Sequence, residues 1–282
     1  MNHSVSSQSS LWIYLNPWAI FRDLYVNREL LRQFTVRNVQ IKHKGSYFGL
    51  LWSAITPLLM MGLYYFVFGI IFQRTYGMID NESGTDFALG LFLSLTLFQF
   101  VAEALTVAPL IIVSSPNLVK KVVFPLSILP AATIGAALFH FLVSLLLVFL
   151  GMLIFGRGLG WGNLWLPVIV FPMILLTMGL TWLLSSLGVF FRDIGHFMQV
   201  VTSIILYGSA IFYSTSMIPA EAWSIMKFNP FIHVIDMSRS VLLWDMPLNL
   251  MDLSYLYFIG IIAFVVGYAV FQKLKSAFAD VM

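Results

Sequence analysis

Residues 45–73 contain no Asp, Glu, Lys or Arg. The apolar run inside them, residues 50–72, predicts a first membrane-crossing helix, within the roughly 17–25 residues a bilayer requires. Residues 74–86 (RTYGMIDNESGTD) bring three carboxylates and predict a loop. A second span follows over 87–113, interrupted by Glu103, and then the basic loop 114–125 (SSPNLVKKVVFP). A third span covers 126–155, with Pro130 near its start, where the ring is tolerated. GRGLGWG, residues 156–162, reads as a turn. The fourth span covers 165–190, Arg192 and Asp193 mark a very short turn, and the fifth runs over 194–214. From 214 to 254 the pattern changes: Glu221, Lys227, Asp236, Arg239, Asp245 and Asp252 alternate with apolar residues. Two short amphipathic helices divided at Asn229-Pro230 fit this, with Pro230 in a first turn and Asn229 before it. A sixth span, 255–271, leads to a short tail.

Ahead of the spans, residues 18–34 read as an amphipathic helix. At 100° per residue Ile20, Leu24, Leu31 and Phe34 share one face, and Arg22, Glu29, Arg32 and Gln33 lie roughly opposite. The apolar face is too narrow to span. Such a helix lies in the membrane interface with its arginines towards anionic headgroups, or packs on another protein, and one helix can do both. The organisation expected is therefore a polar, Ser-rich disordered tail over 1–17, a cytoplasmic amphipathic interface segment over 18–48, a transmembrane domain over 49–272 and a cytoplasmic tail over 273–282. No cationic stretch precedes the apolar patch at 11–20, so no cleaved signal peptide is predicted.

Composition agrees with lipid as the solvent: 60% of the 282 residues are hydrophobic and 10% charged, with a mean hydropathy of +0.92. Soluble domains sit near about 25% charged. Six spans put both termini on one side. Arg22, Arg28, Arg32, Arg37, Lys42, Lys44, Lys120, Lys121, Arg192, Lys273 and Lys275 fall on that side; Arg74, Arg157, Lys227 and Arg239 fall on the other. Eleven against four of the 15 basic residues makes both termini cytoplasmic by the positive-inside rule.

Candidate chemistry is sparse. The chain has no cysteine, which excludes disulfides and thiolate-bound metals. It has no GxSxG, no HExxH and no GxxxxGK[ST], so it holds no P-loop nucleotide site of its own. Glu103 is the one carboxylate deep in a span, a functional candidate by default; a structural hydrogen bond, or a position nearer the interface, is the plainer reading. His140, alone among apolar residues, reads as a packing residue. Trp52, Tyr64, Tyr65, Phe66 and Phe68 load the first span and Tyr207, Phe212 and Tyr213 the fifth. Aromatic faces stack on sugar C–H faces and let a glycan slide, but aromatics also build interface belts and helix contacts. In the loop 114–125, a short helix exposing Leu118, Val122 and Val123 suggests a docked partner or a helix resting on the membrane.

Four stretches, in order, resemble the membrane subunits of ABC-2-type exporters, the branch exporting O-antigen, capsule or teichoic acid polymers. They are RNVQIKHKGSYFGLLWSAITP (37–57, with Arg37, Lys42, Gly49, Trp52 and Pro57), LVKKVVFPLSILP (118–130), FFRDI (190–194), and FYSTSMIPAEAWSIMKFNPFIHVIDMSRSVLL (212–243). One departure is Leu126, where members often carry a basic residue, so no phosphate or ATPase contact is assigned there.

The resemblance implies an all-α integral membrane protein with six transmembrane helices per subunit. An N-terminal amphipathic interface helix precedes them, and two short re-entrant gate helices on the periplasmic side precede the last. It implies a homodimer above two copies of an ATP-binding ABC subunit, with ATP and Mg in that partner and no cofactor on this chain. ATPase coupling would fall to Arg22, Arg32, Leu118, Lys120, Lys121, Phe124, Pro125, Arg192 and Asp193. The path between the two copies would be lined by Trp52, Tyr64, Tyr65, Tyr207, Phe212 and Tyr213. The external gate would hold Met217, Pro219, Asn229, Pro230 and Arg239, and Arg28, Arg37 and Lys42 would attract a pyrophosphate. The expected cargo is a lipid-linked polysaccharide, the expected site the bacterial inner membrane, with no catalytic residue and no nucleic-acid partner. An ABC-2 drug or lipid exporter shares the fold; a membrane-embedded transferase or an ion-coupled carrier would need ionisable groups that are only scattered here.

Overall fold

The computed structural model describes residues 16–72, 75–78, 82–120, 124–156, 158 and 160–282. The expectations on the tail at 1–15 and on Arg74, Lys121, Val122, Val123 and Arg157 lie outside these residues. Among the described residues the chain is helical, with no strand.

Helices α1 (Pro17–Val26) and α2 (Arg28–Lys42) open it. The Asn16 side chain accepts the Trp18 N–H at 3.0 Å, and Pro17 fills the first turn. One helix was expected here; the break at Asn27 has a local cause. Its amide donates to the Asp23 carbonyl at 2.9 Å and to the Asp23 carboxylate at 3.1 Å, a side-chain competitor for helix hydrogen bonding. The predicted apolar face is the one used: Ile20 is fully buried, and Leu24, Leu31 and Phe34 pack beside it. It lies on this chain itself.

Nine helices, with a single 3-10 turn at Thr215–Met217, follow among the described residues. They are α3 (Gly49–Ile71), α4 (Gly84–Leu110), the single-turn α5 (Pro116–Val119), α6 (Ile128–Ile154), α7 (Trp161–Phe190), α8 (Ile194–Gly208), α9 (Ala220–Met226), α10 (Pro230–Trp244) and α11 (Leu250–Val281). Five of them, α3, α4, α6, α7 and α11, are long and apolar enough to cross a membrane. A Cβ on Gly135 of α6 would sit 2.5 Å from the Thr35 hydroxyl oxygen of α2, so the two helices meet where a side chain is missing. α7 and α11 approach even more closely: a Cβ on Gly179 would collide with the Ala263 carbonyl, and one on Gly267 with the Gly179 carbonyl. In lipid there is no hydrophobic drive between helices, and close backbone approach over small residues supplies van der Waals contact instead.

The expected fifth span, 194–214, is cut short. α8 has 15 residues, about 22 Å of helix, against a hydrocarbon core of about 30 Å. Polar groups from elsewhere end it. The Asn229 amide donates to the Gly208 carbonyl at 2.8 Å and to Ser209 Oγ at 3.1 Å. Ala210 then turns through φ 53°, the left-handed region. α9 and α10 divide at Asn229-Pro230 as the sequence predicts, with Asn229 Oδ1 accepting the Phe231 N–H at 3.0 Å. α10 differs from the amphipathic expectation: it packs against α4, α7 and α11 and buries most of its circumference.

Apolar residues form two clusters. The larger joins α4, α6, α7 and α10. The smaller gathers Ile20 of α1, Val119 and Leu126 of the 114–126 loop, Trp182 of α7, and Phe271 and Phe278 near the chain's end. Both terminal segments and that loop therefore meet at one end of the bundle.

Candidate functional site

A string of aromatic rings links α3 to the segment after α8. Tyr64 lies 6.4 Å from Phe68, Phe68 lies 6.1 Å from Phe212, and Phe212 lies 6.1 Å from Tyr207, centroid to centroid. The Tyr213 hydroxyl donates to the Tyr207 carbonyl at 2.7 Å and holds the turn beneath it. Four of the six predicted path residues thus come together. Tyr65 instead faces Phe155 at 6.3 Å, and Trp52 sits with Phe48 at 5.8 Å near the start of α3. Phe68, the ring in the middle, stood in the sequence as one aromatic among several; only the turn at 209–213 shows which of them meet.

The two helices that carry this string are sparsely covered. None of the apolar window of α3 is buried. Leu59, Leu63, Phe66 and Ile70 form an exposed stripe on it, as do Phe197, Val200, Ile204 and Tyr207 on α8. Both stripes repeat at 3- and 4-residue steps, the spacing of one helix face.

At the end where the termini meet, α5 carries half-buried Leu118 and buried Val119, and exposed Lys120 follows it. Phe124 packs edge-on against Phe34 of α2 at 5.6 Å, so the loop and α2 touch directly. Leu126 is buried in the apolar cluster. A carboxylate that the sequence did not single out ties this end together. Asp23 Oδ2 accepts from the Ser127 hydroxyl at 2.7 Å and from the Tyr268 hydroxyl at 3.0 Å. The Ser127 carbonyl in turn accepts the Trp182 indole N–H at 3.0 Å. Arg22, Arg28, Arg32 and Arg37 are exposed. The Arg28 guanidinium lies 4.6 Å over the Tyr25 ring and that of Arg37 4.5 Å over Phe34, which orients both cations. Arg192 and Asp193 are exposed in their turn, where the Asp193 carbonyl accepts the His196 and Phe197 N–H groups.

Glu103 is paired. Lys42 Nζ stands 2.9 Å and His140 Nδ1 2.8 Å from its Oε1. His140 is therefore a polar partner, which corrects its reading as packing alone. The expectation of Lys42 as a pyrophosphate attractor meets an ammonium already bonded to a carboxylate. Beside it His43 Nε2 contacts Ser53 Oγ at 2.8 Å, and the His43 ring stands edge-on to His140 at 5.6 Å. Burial, with His140 and Lys42 adding repulsion, holds the His43 imidazole below its usual range.

At the other end Arg239, 1% exposed, lies 4.2 Å over the Tyr76 ring. It donates to the Ile211 and Tyr213 carbonyls at 3.5 Å and to Asp236 at 3.3 Å. The Tyr76 hydroxyl donates to the Ile211 carbonyl at 2.9 Å. Glu82 folds the preceding loop by accepting the N–H groups of Tyr76, Gly77 and Met78 at 2.9, 2.8 and 3.3 Å. Burial pushes the Tyr76 phenol up, and Arg239 opposes it. Of the predicted gate residues, Asn229 and Arg239 both hold the turn at 208–213 and Pro230 opens α10, while Met217 and Pro219 stay exposed.

The family profile described as ABC-2 type transporter matches residues 29–243. The O-antigen export system permease protein RfbA of Klebsiella pneumoniae is 31% identical over 255 residues, 90% of this chain and 95% of that one. The Myxococcus xanthus protein of the same name is 25% identical over 264 residues, covering 93% and 98%. The polysialic acid transport protein KpsM of Escherichia coli is 22% identical over 105 residues, 37% of this chain and 41% of its own. The chain is a multi-pass membrane protein and belongs to the ABC-2 type transporter family.

Proposed function

We propose that the chain is the permease subunit of an exporter that carries a lipid-linked, O-antigen-like polysaccharide across the bacterial inner membrane, driven by ATP hydrolysed in a separate subunit. The observation that carries this reading is the aromatic string Tyr64–Phe68–Phe212–Tyr207 beside the two uncovered stripes of α3 and α8. Rings that stack on sugars without fixing a register suit a polymer in transit. The near full-length relatives named for O-antigen export point to the same cargo.

In this reading α8 is the fifth of six crossings, completed by the turn at 209–213. Two copies meet across the stripes of α3 and α8, with the path between them. Both termini are cytoplasmic, supported by the bias of basic residues and by the apolar cluster that α1, the 114–126 loop and Phe278 share. Residues 18–48 form the interface segment, 49–272 the transmembrane domain and 273–282 a cytoplasmic tail. Two ATP-binding subunits, which hold ATP and Mg, press on α1, α2, Leu118, Lys120, Phe124, Pro125 and the Arg192–Asp193 turn. Arg28 and Arg37 draw the lipid pyrophosphate to the inner leaflet surface. α9 and α10, with Met217, Pro219, Asn229, Pro230 and Arg239, close the path outside. The chain itself performs no chemistry.

Deletion tests this. It should remove the surface glycan and leave lipid-linked polymer on the inner leaflet. Lys120→Glu should lower export while leaving insertion intact. Loss of a small-molecule resistance with the surface glycan unchanged would instead mark a drug exporter, and export without any ATP-binding subunit would overturn the proposal.

A further inference from the structure

α3 begins beside a polar cluster drawn from three parts of the chain. Lys42 is the last residue of α2, Glu103 sits in α4 and His140 in α6. His43, next to Lys42, contacts Ser53 in the first turns of α3. Ser53 is the one buried residue in the Trp52–Tyr64 stretch of α3. The start of a helix with little other cover is thus fastened through this cluster.

We infer that Lys42, Glu103 and His140 are positioning residues that form a releasable clasp, setting where the head of α3 rests against α4 and α6. The inference builds on the export reading above. The two ends of the α1–α2 pair are held differently. At the Asp23 end the carboxylate is bonded to the buried hydroxyls of Ser127 and Tyr268. The two hydroxyls are buried and the half-buried carboxylate bridges them, so that end is the more firmly held. At the Lys42 end the lysine side chain is 46% exposed and Glu103 16%. Water can take over the ammonium when α2 shifts, and Glu103 keeps His140 as its hydrogen-bond partner. When the ion pair parts, the Glu103 carboxylate keeps the His140 hydrogen bond and its partial exposure, so the break costs less than one that leaves a buried charge with no partner. Between the two ends Thr35 abuts Gly135, a close contact about which α2 can rock. A push on the 114–125 loop reaches α2 through Phe124 and Phe34, and the clasp passes it to α3.

The test uses the complete chain with its ATP-binding subunit in lipid vesicles. The chain has no cysteine, so Met60→Cys on the exposed flank of α3 gives this chain one thiol, whose maleimide label is read on its own band after electrophoresis. Lys42→Met and Glu103→Gln should each lower polymer exported per ATP about fivefold with ATP hydrolysis maintained, and change the nucleotide-free labelling rate at position 60 about threefold. The double variant should do no more than the stronger single, because both remove one bond. Lys42→Arg should keep the ratio. Should Met at 42 hinder insertion, the nearly isosteric Glu103→Gln reads the same bond from the other side. Unchanged ratio and labelling in the single variants, multiplied effects in the double, or failure of both singles to insert would overturn the clasp. If the unaltered complex exports nothing, the export reading fails, and labelling at position 60 still reports on the clasp.

Discussion

Asp23 and Ser127, 104 residues apart in the chain, share a 2.7 Å hydrogen bond that fixes α1 to the point where the 114–125 loop rejoins the bundle. The same carboxylate oxygen holds the Tyr268 hydroxyl of α11. Three segments far apart in sequence are referenced to one anion. Replacing it with alanine takes this charged acceptor from two buried hydroxyls, and a hydrogen bond to a charged group contributes about 1.5–3 kcal/mol. Asp23→Ala is expected to lower the apparent unfolding temperature of the detergent-purified chain, and Ser127→Ala to do so less, since Tyr268 keeps the carboxylate. Equal melting of Asp23→Ala and the unaltered chain would show that the bond carries no load.

Gly179 and Gly267 bring α7 and α11 into backbone contact, and neither position admits a Cβ. Leucine at 267 has to push the helices apart along much of their length. Overpacking in a tight interior typically costs about 1–3 kcal/mol; here the obstacle is backbone, which cannot rotate away. Gly267→Leu is expected to reduce the folded yield sharply, whereas Gly62→Leu, with open space around its missing Cβ, should leave yield unchanged. Size-exclusion profiles of the two variants separate the outcomes.

Much of this architecture was legible before any coordinates. Long charge-free runs give spans because lipid penalises every exposed polar group, so α3, α4, α6 and α7 fall close to their predicted places, while α11 starts before the predicted 255–271 and runs on through the predicted tail. Asn229-Pro230 divides α9 from α10 because capping chemistry is local. What depends on distant partners was hidden. The end of α8 is set by Asn229, Arg239 and Tyr76, from 20 or more residues away. The Asp23 and Glu103 pairings join residues 37 to 245 positions apart. Gly260, where a Cβ would meet the Pro172 carbonyl of α7 at 2.6 Å, and Gly267 stand seven apart on one helix face and were the available signal for the α7–α11 contact.

Arg239 is a cation buried among carbonyls, a carboxylate and the face of Tyr76. Methionine fills similar volume but donates nothing, so the Tyr213 carbonyl loses a donor and Asp236 its cation. Breaking a buried pair costs about 3–5 kcal/mol, and the partial exposure of Asp236, 30%, reduces this. Arg239→Met should therefore destabilise the fold by about 2 kcal/mol. Tyr76→Phe, which removes one hydrogen bond to the Ile211 carbonyl, should cost about 1 kcal/mol. Because the two act on the same turn, their double variant should fall short of the sum. Thermal unfolding of the four forms gives the coupling directly.

His43 makes stability depend on pH in a definite direction. Its imidazole is held below the unfolded value of 6.5, mainly by burial, with His140 and Lys42 adding repulsion and Glu103 pulling the other way. The folded chain therefore resists protonation at a pH where the unfolded chain accepts it. Between the folded and unfolded values the unfolded state binds more protons, so stability rises with pH there. The contribution is complete above 6.5 and is lost as pH falls through the depressed folded value. His140 is an edge-on neighbour and Ser53 the hydrogen-bond partner, so protonation also recasts the contact that fastens the head of α3. Apparent unfolding temperature measured from neutral pH downwards should decline below 6.5 in the unaltered chain. His43→Gln, which keeps a hydrogen-bonding group but no titration, should show a shallower decline over that window. An identical decline in the two proteins would assign the acid sensitivity to other groups.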